Sequence, residues 1–323
     1  MKTYELASYI TRFSFFCTLL TNSFLIFLTI FHIKLITGTY KTMIVIFATL
    51  GIILSFLEIM VQPSTHNFNG GFMYFSLNER LPKNLVFGLT ACYSGVYCSL
   101  LAFVAMQFTF RCWTLLRSKL VKSFKGWRLL LWLLFLLTPN FLFSSGLVVL
   151  MSPDDYSDGY MKEEILKIYE LGIKDVPRFT MLVYNAHGGL RWKNVGCVIT
   201  LSSILTFNLT IIAYSAYRMR KEMHNCMKLM STKNQKLETQ FFFALLAQGA
   251  FPTFLLALPT GPVMAIPFFD MKISLQTGFL FSMISLYPPM DSIAMMMIIK
   301  EYKTCVRGWF VIWRKLMGIM FQG

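Results

Sequence analysis

The 323 residues are 56% hydrophobic, 16% aromatic and only 14% charged, with a formal net charge of +15. So much apolar surface cannot be hidden in one soluble core, which excludes an ordinary soluble domain and calls for a bilayer. The basic residues sit in short segments between apolar runs, so they read as membrane orientation, and no nucleic-acid partner is expected.

Crossing hydrocarbon about 30 Å thick takes about 20 mostly apolar residues. Runs of that length lie near 10–33, 42–61, 85–110, 128–150, 194–217, 239–266 and 273–299. The first far exceeds a signal-peptide h-region and shows no small-residue cleavage site, so it reads as a retained helix. Backbone groups in lipid must pair internally, and seven long runs without short alternating strands predict helices alone. The expected fold is an all-α, polytopic seven-transmembrane bundle over 1–299, followed by a cytoplasmic interfacial helix and tail over 300–323.

Orientation follows from basic residues in the short loops. Lys34 and Lys41 lie in the first, Arg111, Arg117, Lys119, Lys122, Lys125 and Arg128 in the second, Arg218, Arg220, Lys221, Lys228, Lys233 and Lys236 in the third. Lys300, Lys303, Arg307, Arg314 and Lys315 lie in the tail. These segments are assigned to the cytoplasm, which leaves the amino terminus outside. Between Met151 and Lys193 a long outer loop offsets its basic residues with acids. Within it Ser157 and Asp158 cap a short helix from Met161 to Tyr169, read as a lid or as a solvated spacer.

Ionisable groups inside a span cost roughly 2.5–3.5 kcal/mol at the helix centre. Glu58, near the outer end of the second run, faces a ligand cavity or reaches interfacial water, with a structural role preferred. Asp291, in Tyr287-Pro288-Pro289-Met290-Asp291, falls where two prolines free backbone carbonyls, and reads as a switch or a packing node. Asn22 is glue between helices. A ligand pocket is expected among the outer halves of spans three, five, six and seven. Its candidate residues are Tyr93 and Tyr97, spaced i, i+4, then Thr200, Ser203, Phe254, Gln276 and Phe279, with ordinary packing as the rival reading. Pro252, Pro259 and Pro262 predict a kink in span six.

At the inner surface Arg111-Cys112-Trp113 closes span three, a docking point for a partner or a snorkelling arginine. Lys300, Lys303, Arg307 and Arg314 share one face of a tail helix whose Trp309 and Phe310 supply apolar bulk, which predicts contact with anionic membrane lipid. The seven cysteines are scattered, mostly inside apolar runs, and set no disulfide framework. His32, His66, His187 and His224 fall in or beside loops without metal spacing, so no catalytic residue, metal or cofactor is assigned.

Read together, these residues resemble the nematode serpentine chemoreceptors of the Str superfamily, the str and srj classes, over nearly the whole chain. The likeness rests on Gly38-Thr39-Tyr40-Lys41, Val61-Gln62-Pro63, Arg111 with Trp113, Pro252-Thr253-Phe254 through Pro259, and Tyr287-Pro288 with Asp291 before Ile299-Lys300-Glu301-Tyr302. Cys112 stands where the family often has an aromatic residue, and Ser292 where it often has proline. No acidic residue stands immediately before Arg111 and the long outer loop offers no cysteine to bridge with Cys92, so rhodopsin-like rules transfer poorly. The resemblance implies a G-protein-coupled olfactory receptor in a sensory cilium membrane, activated by a small volatile or pheromone-like ligand and coupled to a heterotrimeric G protein. Arg111, Trp113, Pro252, Tyr287 and Asp291 would then form the switch and coupling set. A seven-span ligand-gated cation channel and a small-molecule transporter are the alternatives. A carboxyl terminus outside the cell would favour the channel; two related halves with discontinuous helices would favour the transporter.

Overall fold

A computed structural model describes residues 3–309 apart from 35, 37, 228–230 and 270. The apolar runs fold as helices: α1 (Thr3–Phe31), α2 (Thr39–Val61), α3 (Lys83–Leu115) and α4 (Leu129–Leu150). After a short α5 (Asp155–Tyr169) come α6 (Trp192–Met227), α7 (Thr232–Pro252) and α8 (Leu258–Ala265), and then α9 (Gly278–Ser282) and α10 (Tyr287–Ile298). A last helix, α11, runs from Lys300 to Trp309. Among the described residues six stretches are long and apolar enough to cross a membrane, α7 and α8 counting as one. The number reaches seven when Gly278–Ile298 and α11, which meet at 97°, are taken as one broken span. Residues 278–298 alone reach about 30 Å at 1.5 Å per residue, enough for the hydrocarbon core. The bend then sets α11 at nearly a right angle to the stretch before it. Lys228, Arg314, Lys315 and the tail beyond Trp309 lie outside the described residues.

The exterior is greasy, as lipid requires: Phe13 is 65% exposed, Phe141 72% and Phe207 59%. By contrast α3 is buried on every side from Leu100 to Phe108, which makes it the central helix of the bundle. Its seam with α4 closes on Gly95, with Ser144 donating to the Ala91 carbonyl at 2.9 Å and Ser99 to the Leu136 carbonyl at 2.7 Å. Asn22 of α1 donates to the Ala48 carbonyl at 2.9 Å and accepts from Ser292 at 2.7 Å, the interhelical bonding expected of it.

The expectation of helices alone is corrected at one end of the bundle. Strands β1 (Pro63–Phe68), β2 (Gly71–Ser76), β3 (Arg178–Leu182) and β4 (Ser274–Leu275) form an antiparallel sheet in the order β3-β2-β1-β4. A two-residue hairpin turn joins β1 to β2, and its Asn69 and Gly70 both take positive φ, 44° and 75°. Asn-Gly between apolar strands is the sequence that favours this turn. Side chains of β2 alternate between two layers. Phe72 and Tyr74 face the bundle, whereas Met73 and Phe75 pack under Met161, Ile165 and Tyr169 of α5.

The short helix expected in the long loop is present but starts earlier, at Asp155. Its cap is Asp154, in a reciprocal capping box with Ser157. Arg178 of β3 forks onto Asp158, its Nε 2.9 Å from Oδ1, and Arg191 pairs with Asp154, so α5 is fastened at its first turn. Glu164 accepts from Ser274 of β4 at 2.5 Å and lies 3.6 Å from Nε2 of His66, a fully buried residue of β1. The Tyr169 hydroxyl sits 3.4 Å from the other ring nitrogen. Burial pulls the His66 pKa below its usual 6.5, against the opposing pull of Glu164.

A base held neutral by folding takes up a proton more readily once its surroundings open, so acid favours opening. The stability of α5 on the sheet is therefore expected to fall as pH drops below about 6.5, towards the lowered folded value. Hydrogen exchange at 63–68 should be faster at pH 5 than at pH 7.5 after correction for intrinsic rates, and H66F should lose the difference. Equal protection at the two pH values in the unaltered chain would contradict this account.

Candidate functional site

A cavity of about 320 Å³ lies under the sheet, near the lower end of the roughly 300–1,000 Å³ typical of ligand pockets. Phe72 and Tyr74 of β2 form its roof, with Pro63 of β1 beside them. The walls come from α3 through Tyr93, Tyr97 and Cys98, from α4 through Phe143 and Met151, and from α6 through Cys197 and Leu201. Thr260 and Met264 of α8 close the remaining side. No charged side chain lines it among the described residues. The polar groups are a few hydroxyls: those of Tyr93 and Tyr97 are 3.3 Å apart, and Ser94 donates to the Tyr74 oxygen at 3.0 Å. The Thr260 hydroxyl is buried without a hydrogen-bond partner.

Of the expected ligand residues, the structure brings Tyr93 and Tyr97 to this cavity. Ser203 lines a shallower depression next to it, outside the wall. Thr200 does not line the cavity and donates to the Gly196 carbonyl at 2.9 Å. Phe254 is 64% exposed, Phe279 is half-buried in α9, and Gln276 follows β4; none of the three lines the cavity. Glu58 is 2% exposed, with the hydroxyls of Tyr93 and Thr11 as hydrogen-bonding neighbours. It does not reach interfacial water and does not line the cavity, which it adjoins through Tyr93.

At the far end of α3, Arg111 is not a snorkelling side chain. Its Nη2 lies 2.6 Å from Oε2 of Glu238 on α7, with the two side chains 9% and 26% exposed. The guanidinium also sits 4.2 Å from the Phe241 ring and 4.8 Å from the Tyr40 ring. Three elements thus converge on one charge, and each aromatic contact contributes about 0.5–2 kcal/mol. Trp113 packs edge-on against Phe124 and Trp132, 5.9 and 5.8 Å between ring centres. Between the two ends, Gln248 of α7 donates to Asp291 of α10 at 3.1 Å. The other Asp291 oxygen and the Tyr287 hydroxyl are buried without partners.

Span six connects these places. Pro252 ends α7, a π-helical turn over Thr253–Ala257 follows, and α8 resumes to the cavity wall, so the expected kink takes the form of a break in helical register. Glu238 and Thr260 stand 22 residues apart on it, about 33 Å of helix. Glu238, Tyr40, Phe241 and Gln248 were not among the expected coupling residues. A carboxylate one residue ahead of an apolar run was the available signal for Glu238.

A bundle of apolar helices with a roofed, uncharged cavity at one end and a cross-helix ion pair at the other is a multi-pass membrane protein of the serpentine kind. The chain belongs to the family described as serpentine type 7TM GPCR chemoreceptor Str, whose profile matches residues 7–307. It is 37% identical over 315 residues to the G-protein coupled receptor str-33 of Caenorhabditis elegans, covering 95% of this chain and 91% of that protein. It is 26% identical over 278 residues to the serpentine receptor class r-10 of the same organism, covering 83% and 80%. The class r-10 receptor of Caenorhabditis briggsae is 26% identical over 288 residues, covering 86% and 83%.

Proposed function

We propose that the chain is a chemosensory receptor that binds a small uncharged environmental molecule in the roofed cavity and activates a heterotrimeric G protein at the Arg111 end. The observation that carries the reading is the single broken helix joining a cavity wall to the partner of Arg111. Orientation follows from charge. Lys34, Lys41, Arg117, Lys119, Lys122, Lys125, Arg218, Arg220 and Lys300 belong to the Arg111 end, which assigns it to the cytoplasm and the sheet to the outside. The names of the relatives and of the family support a chemoreceptor role, and the plasma membrane of a sensory cilium is the location this proposal assigns.

In this mechanism the ligand selects a minor conformer in which the inner end of span six leaves Arg111 and opens a docking cleft. Asp291 and Gln248, bonded across α7 and α10, lie on the path of that movement. Shifting a population from about 1% to about 99% active takes a ligand preference of roughly 5.5 kcal/mol for the open form.

The test is expression in a reporter cell, a screen of volatile and pheromone-like compounds, and repetition of any hit with R111A. The expected result is loss of the G-protein response with ligand binding retained. A response unchanged by R111A removes Arg111 from the mechanism.

A further inference from the structure

We propose that the ligand reaches the cavity sideways from the bilayer, through a gap between α6 and the Ile266–Phe269 turn, so that the site takes uncharged molecules that partition into lipid. This rests on the receptor reading and adds to it the ligand class and the route.

Among the described residues the outer end is closed. All six residues of β2 are buried, and α5 covers the far face of the sheet. The edge strand β4 is tied down by Ser274 on Glu164, and the segment just after it by Thr277, which donates to Thr65 at 3.0 Å and Asn67 at 3.1 Å. Asn67 in turn donates to the Val263 carbonyl of α8 at 2.9 Å, which seals the roof to the bundle. Passage from water would have to unseat two layers.

The flank differs. A second depression is lined by Ile199, Ser203, Thr206 and Phe207, and it shares Val198, Ser202 and Phe268 with the cavity. Ser202 is therefore a wall residue of the cavity and is also exposed on the outside of the bundle. Around it Ile199 is 56% and Phe207 59% exposed on a helix apolar enough to span a membrane, so the surface at this opening is lipid. On the other side of the gap the Tyr184 hydroxyl holds the Phe268 carbonyl at 3.1 Å. The backbone of that short 3-10 turn is anchored, while its half-buried ring stands between depression and cavity as the side chain that must swing. A charged solute would have to shed its hydration to pass, and inside it would meet hydroxyls but no counter-charge.

Two free, buried cysteines in the cavity wall, Cys98 and Cys197, allow the route to be read without a known ligand. The exposed Cys92, on the same α3, serves as the internal control. Full-length protein in nanodiscs is treated with decyl methanethiosulfonate or with the charged trimethylammonium-ethyl reagent, and each cysteine peptide is followed by mass spectrometry. In each case the thiol sulfur displaces a sulfinate and forms a mixed disulfide. The decyl reagent is expected to label Cys98 and Cys197 at least tenfold faster than the charged one. S203W, which fills the depression without entering the cavity, should slow that labelling at least fivefold and leave Cys92 unchanged, whereas F268A should speed it.

Equal rates for the two reagents at Cys98 and Cys197, indifference of the decyl rate to both substitutions, or labelling of Cys92 alone each overturn the lateral route. Labelling does not depend on signalling, so a chain that passes this test yet never activates a G protein loses only the receptor reading.

Discussion

E238Q is expected to raise ligand-independent signalling about tenfold at matched surface expression. The glutamine keeps the size of Glu238 but removes the charge facing Arg111 at 2.6 Å. A hydrogen bond to a charged partner contributes about 1.5–3 kcal/mol when buried, and the 26% exposure of Glu238 discounts that to the lower part of the range. A loss near 1.4 kcal/mol is a factor of ten in the closed-to-open ratio, enough to lift a 1% active population to roughly 10%. The Phe241 and Tyr40 rings still hold the guanidinium, so R111A is a different experiment: in the proposed mechanism it removes the docking charge, and it is expected to silence the response. If E238Q leaves basal signalling where it was, the ion pair does not hold span six closed.

A second large effect is expected at Gly95, where α3 and α4 meet. A Cβ there would lie 2.2 Å from Ser144 Oγ, 2.6 Å from Asn140 Oδ1 and 2.7 Å from the Asn140 backbone oxygen. The serine can rotate, but the carbonyl cannot move without its helix, so G95A must part the seam at a cost of about 1–3 kcal/mol. Gly88 lies two turns earlier on α3, where an added Cβ meets nothing within 4 Å. G88A removes a flexible residue from the same helix without a clash. Thermal unfolding of the purified protein should show a clear fall for G95A and none for G88A; equal midpoints would mean that the seam is not tight.

The membrane architecture was legible because crossing lipid is a matter of length and greasiness, which a sequence displays directly. The sheet was missed for the same reason. Residues 63–76 lie between two spans, where a search for long apolar runs does not register the Asn69-Gly70 turn between Phe68 and Phe72. The site was half legible. Tyr93 and Tyr97 are legible because their i, i+4 spacing puts both on one face of α3, and that face turns into the bundle. On α6 the expected pair, Thr200 and Ser203, stands beside the cavity-lining Cys197, Leu201 and Ser202. One residue is about 100° of helix, and nothing in a uniformly apolar run fixes that phase. Phe254 was displaced by the π-helical turn, which no pattern in Pro252-Thr253-Phe254-Leu255 announces. Glu238 was overlooked because reach across a bundle depends on which helix lies opposite, a tertiary fact.

The π-helical turn over Thr253–Ala257 also determines how span six can respond. Such a turn carries one surplus residue, so recasting it as α-helix would slide the flanking half along its axis by about 1.5 Å and swivel it by about 100°. The change is a click between two indexed positions, like a ratchet tooth. In the proposed mechanism, a cavity wall and an ion pair joined by such a tooth report occupancy as a count, where a springy rod would report it as a strain.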